Sequence, residues 1–128
     1  MVNNKKILIV EDELTLRTPM AFGLRDEGFT VIEAENGEQG LALAFAEKPD
    51  LILLDLIMPG VDGMAVLREL RKNPWGKEVP VMLLTNLNET EKITESVESK
   101  VYEYLLKSDW SLDDVVKKIK EKLEIKKG

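Results

Sequence analysis

Short apolar runs alternate with amphipathic stretches along almost the whole of this 128-residue chain. Lys6-Ile-Leu-Ile-Val10 and Leu51-Ile-Leu-Leu54 carry branched aliphatic residues without polar alternation. That is the pattern of a strand buried on both faces of a sheet. Thr30–Ala34, Val79–Thr85 and Glu103–Lys107 predict three further strands. Between them, apolar positions recur at helical spacing. Leu14–Glu27 predicts a helix stopped by Gly28, and Asn36-Gly37 opens a second that runs to Glu47. Met64, Val66, Leu67 and Leu70 form the stripe of a third, from about Gly63 to Lys72. Glu89–Ser99 predicts a polar fourth helix with only Ile93 and Val97 as its stripe. Ser111 and Asp114 make a capping-box-like start for a fifth. Its core face is Leu112, Val115, Val116, Ile119 and Leu123. Pro19 falls inside the first helix and predicts a kink or a lost hydrogen bond around Thr15–Pro19.

Five strands alternating with five helices give a (βα)₅ domain over residues 1–128. The expected architecture is α/β: a mostly parallel sheet, covered by helices on both faces through right-handed crossovers. In such open sheets, sites lie beyond the carboxyl ends of the strands. The chain places chemistry there. Glu11 and Asp12 follow the first strand, Asp55 ends the third, Thr85 the fourth and Lys107 the fifth. Glu11, Asp12 and Asp55 would converge on one spot. Three carboxylates repel one another and favour a hard cation held by oxygen ligands, typically Mg²⁺.

Composition narrows the chemistry further. Hydrophobic residues make up 44% and charged residues 33%, as in an ordinary globular domain, and the net charge is −6. The lysines between Lys117 and Lys127 are interrupted by acids and suit a solvated helix face, so no nucleic-acid partner is expected. There is no cysteine, which excludes disulfides and thiol chemistry and fits a reducing, cytoplasmic setting. There is no histidine either, so the chain cannot itself carry phosphohistidine. No signal peptide or apolar run long enough for membrane insertion is present in the sequence.

Ile9-Val10-Glu11-Asp12-Glu13, Asp55-Leu56-Ile57-Met58-Pro59-Gly60, Leu84-Thr85 and Tyr104-Leu105-Leu106-Lys107 stand in an order and spacing that are specific together. On these motifs the chain resembles the receiver domain of bacterial two-component response regulators, especially the single-domain, chemotaxis-regulator-like kind. The resemblance covers essentially the whole chain. It implies a flavodoxin-like doubly wound sheet of order 2-1-3-4-5. It also implies a phosphoacceptor signalling domain, not an enzyme acting on a separate substrate. Asp55 would take a phosphoryl group from a sensor histidine kinase or histidine phosphotransfer protein. Asp12 and Asp55 would ligate Mg²⁺ together with the Ile57 backbone carbonyl, and Glu11 would act through water. Lys107 and Thr85 would hold phosphoryl oxygens, with the backbone amides of Leu56 and Asn86. Thr85 and Tyr104 would form the switch. It would change the face made by the fourth helix, fifth strand and fifth helix, which an unidentified downstream protein reads.

The chain departs from the family pattern in several places. Lys107 is followed by Ser108 where proline is usual, so a trans bond is expected there. Lys100-Val101 replaces the usual Gly-Ala pair. Ile57 is apolar two residues past Asp55 and cannot position a water, and Asn86 is larger than the usual small residue. Slow self-hydrolysis of the aspartyl phosphate is the expectation from Ile57. Lys100-Val101 and Ser108 keep open a phosphorylation-independent interaction module, and the chain is also compatible with a receiver cut from a larger regulator. A phosphohydrolase is disfavoured, because no second acid stands two residues beyond Asp55.

Overall fold

The apolar runs become the strands of a five-stranded parallel sheet. These are β1 (Lys6–Val10), β2 (Thr30–Ala34), β3 (Leu51–Asp55), β4 (Val81–Thr85) and β5 (Glu103–Leu106). The computed structural model describes residues 5–55, 57–58, 61–85, 103–106 and 111–123. Strand order is β2-β1-β3-β4-β5, as the resemblance implies. A short antiparallel pairing of Ile57–Met58 with Val61–Asp62 follows β3.

The strands sort their side chains by parity. Ile7, Ile9, Leu51, Leu53, Met82 and Leu84 face one side. There they meet Met20, Ala21 and Leu24 of α1 (Leu14–Asp26) and Val115, Val116 and Ile119 of the C-terminal helix (Leu112–Lys122). Leu8, Val10, Ile52, Leu54, Val81 and Leu83 face the other. That side is covered by α2 (Gly37–Glu47) and α3 (Gly63–Lys72), the latter through Met64, Val66, Leu67 and Leu70. A sheet sealed on both faces is why its central strands read as unbroken apolar runs.

The helix ends follow from local chemistry. Gly28 adopts φ 96°, which a β-carbon disfavours. Its amide donates to the Arg25 carbonyl, and the Phe29 amide donates to Leu24. Phe29 and Leu24 share the core beneath, so this is a Schellman stop. Asn36 and Ser111 cap α2 and the C-terminal helix by accepting from the Gln39 and Asp114 amides. Gly23 lies against Leu112, where an added β-carbon would come within 2.2 Å of a Leu112 methyl.

Two boundaries differ from expectation. β4 begins at Val81 and not Val79, because Pro80 has no amide to give the ladder, although its carbonyl accepts from Ile52. α1 ends at Asp26, with Glu27 as its cap. As expected, α1 runs on through Pro19. Proline removes the amide that would serve the Thr15 carbonyl, so the hydrogen bond is lost without ending the helix. The expected helix over Glu89–Ser99, Lys100-Val101, and the Lys107-Ser108 bond lie outside the described residues.

Candidate functional site

β1 and β3 are neighbours, with Val10 opposite Leu54. Their carboxyl ends therefore deliver acids to one edge. Glu11 follows β1 and is 0% exposed, Asp55 closes β3 and is 1% exposed, and Asp12 is half-buried. One oxygen from each of the three carboxylates lies within 4.8 Å of the other two. Ligands of an octahedral Mg²⁺ at about 2.1 Å stand roughly 3–4 Å apart. The trio therefore fits a small hard cation after slight adjustment, and it could hold a metal ion.

The electrostatics are those of crowded, buried acids. Burial most of all pushes the Glu11 carboxyl up from 4.5 to about 8, and the Asp55 and Asp12 carboxylates add to the rise. The Glu13 amide works the other way, donating to Glu11 Oε2 at 3.1 Å. The crowding of acids thus holds a proton on Glu11, and a cation bound at this spot would relieve it by favouring the ionised form.

The remaining expected residues are placed as far as the backbone goes. β4 ends on Thr85, one position beyond Leu84, which pairs with Asp55. Thr85 is itself opposite Leu106. Tyr104 is in β5 opposite Leu83, and Ile57 is in the short antiparallel pairing opposite Asp62. Leu56, Asn86 and Lys107 lie outside the described residues. The structure thus brings Glu11, Asp12 and Asp55 together and sets the Thr85 backbone on the same sheet edge.

A network of Arg17, Arg25 and Glu33 beside this edge has no motif in the sequence. Arg17 of α1 donates from its guanidinium to the Glu11 carbonyl at 2.7 Å and from Nε to Glu33 Oε1 at 3.2 Å. Arg25 donates to Glu33 Oε2 at 3.2 Å and to the Val31 carbonyl at 3.0 Å. The only hint was an acid, Glu33, in a strand whose neighbours are apolar.

Comparison with known proteins points the same way. Residues 7–120 match the family model described as the response regulator receiver domain. The chain is 36% identical to the transcriptional regulatory protein ResD of Bacillus subtilis over 118 residues, which cover 92% of this chain and 48% of that protein. It is 40% identical to Protein PilH of Pseudomonas aeruginosa over 89 residues, 69% of this chain and 74% of that one. A crystal structure of a CheY-like response regulator receiver domain protein from Methanospirillum hungatei superposes with a TM-score of 0.87 at 29% identity, covering 95% of each chain. The chain spans about half the length of the transcriptional regulators it matches, 48%, 44% and 45% for three of them.

Proposed function

The chain belongs to the response regulator receiver domain family, and on that premise we propose that Asp55 is its phosphoacceptor and that the acids around it hold Mg²⁺. The observation that carries this is the convergence of Glu11, Asp12 and Asp55 at the carboxyl ends of two adjacent central strands. A carboxylate is a competent nucleophile towards phosphorus. An Asp55 oxygen attacks a phosphoryl group carried on an imidazole nitrogen of the donor protein. The new P–O bond forms as the P–N bond breaks, and the freed imidazole nitrogen keeps the electron pair. The donor in this reading is a sensor histidine kinase or a histidine phosphotransfer protein; this chain has no histidine and cannot supply the imidazole itself.

In this reading Asp12, Asp55 and the Ile57 carbonyl would hold the Mg²⁺, with Glu11 acting through water. When bound, Mg²⁺ supplies the positive charge that lets an anionic phosphoryl group approach three acids. Lys107 and the Thr85 hydroxyl bind phosphoryl oxygens, and the Leu56 and Asn86 amides complete the cradle. Thr85 and Tyr104 transmit the change to the face that includes β5 and the C-terminal helix, which a downstream protein reads. The domain works in the cytoplasm as a phosphoacceptor that promotes its own phosphorylation, and not as an enzyme with a separate substrate. No helix among the described residues is long and apolar enough to cross a membrane.

The test is to incubate the chain with acetyl phosphate and Mg²⁺ and to follow its intact mass and tryptophan fluorescence. One phosphoryl adduct is expected, located on Asp55 by peptide mapping and absent from Asp55→Asn or in the presence of chelator. Wild-type protein that gains no adduct would overturn the proposal.

A further inference from the structure

We propose that Arg17 is a positioning residue for the cation site, and that Glu33 holds it in that role; this rests on the metal site read above. The loop carrying Glu11 and Asp12 is fastened at three points. The Glu11 amide continues the ladder by donating to Ala34 at 3.0 Å, and the Glu13 amide donates to Glu11 Oε2 at 3.1 Å. The third fastening is the Arg17 guanidinium on the Glu11 carbonyl at 2.7 Å. Arg17 itself starts from a fixed base, because its own amide donates to the Glu13 carbonyl at 2.9 Å. It thereby spans the loop from the first turn of α1 back to the end of β1.

Burial and charge set this arginine apart from a surface ion pair. The Arg17 side chain is 12% exposed, against 50% for Arg25, which shares Glu33 with it. A bare guanidinium beside the acids would oppose a divalent cation. Glu33 offsets that charge, and its second oxygen is taken by Arg25, which is anchored on the Val31 carbonyl. A continuous chain of hydrogen bonds therefore runs from β2 through Arg25, Glu33 and Arg17 to the backbone of Glu11. The planar fork of arginine can donate to a carbonyl and a carboxylate at once, which the point charge of lysine does less well. Groups that orient metal ligands in this way typically change affinity by about 10–100-fold when removed.

The test measures Mg²⁺ binding by the full chain, using titration calorimetry and the rise in melting temperature that saturating Mg²⁺ produces. Wild type is compared with Arg17→Ala, Arg17→Lys and Glu33→Gln. Arg17→Ala is expected to weaken binding about tenfold or more and Glu33→Gln about threefold, with Arg17→Lys recovering part of the loss. A merely structural role would lower the melting temperature in chelator but leave the Mg²⁺-induced increment and the affinity unchanged. If Arg17→Ala does not fold, Glu33→Gln decides alone: weakened binding supports the proposal and wild-type affinity overturns it. Folded Arg17→Ala that binds Mg²⁺ as the wild type does overturns the role of Arg17 while leaving the metal site intact. Wild-type protein that binds no Mg²⁺ overturns the site reading, and this proposal with it.

Discussion

Glu11 is the residue at which folding and function oppose each other most directly. Its carboxyl sits at about 8 in the fold against an ordinary 4.5. Between those values the folded chain keeps a proton that the unfolded chain has released. Stability from this group is therefore fully present below about pH 4.5, falls as pH rises through the window, and is gone above about 8. In chelator, wild type should lose stability relative to Glu11→Gln between about pH 5 and 8, by an amount on the order of a few kcal/mol. Urea unfolding of the two proteins across that range checks this, and parallel curves would refute it. A bound divalent cation favours the ionised carboxylate, so Mg²⁺ should flatten the wild-type curve. The acids at the strand ends were legible from the chain alone, because an ionisable group ending an apolar run has few structural reasons to be there. Arg17 and Glu33 were not, because they are 16 residues apart and meet only through the packing of α1 on β2.

Among the elements, helix contacts rest on small residues at crossings as much as on apolar stripes. Leu112 of the C-terminal helix fills the space that a side chain on Gly23 of α1 would need. Lys120 reaches Glu27 at 2.8 Å on the same helix pair. Gly23→Ala should gain the helix propensity that alanine brings, about 1 kcal/mol, yet still destabilise the protein. Leu112 is partly buried against the core, so its methyls and γ-carbon must shift to make room, and overpacking of this kind costs about 1–3 kcal/mol. Pairing Gly23→Ala with Leu112→Ala should recover part of that loss, as a double-mutant cycle in urea would reveal. Additive losses in the cycle would count against a steric cause. The strands β1, β2 and β3 could be read to the residue, because acids, Gly and Pro punctuate them sharply. The orientation of α1 could not, since Leu14 and Phe22 are exposed while Met20, Ala21 and Leu24 are buried. Its apolar residues do not all mark one face.

At the scale of the molecule, two cores share one sheet, and β3 is buried in both. Leu53 is 0% exposed and lies opposite Ile9 on β1 and Met82 on β4. Leu53→Ala should cost about 2–5 kcal/mol, measurable as a drop in the urea midpoint. The protein that remains folded should still take one phosphoryl group on Asp55, because the cavity lies on the helix-covered face and not at the strand end. Loss of the adduct from folded Leu53→Ala would show that the strand ends depend on core packing more finely than this. The pairing of Val10 with Leu54 carries a larger consequence. A slip of one position would turn every β3 side chain to the opposite core and move Asp55 by about 3.3 Å along the strand. Oily side chains far from any phosphate thus act as a gauge block for the carboxylates. A chain that has closed its two cores has already been inspected for the spacing of its acids, so misassembled but stable copies with a spoiled site are screened out by folding itself.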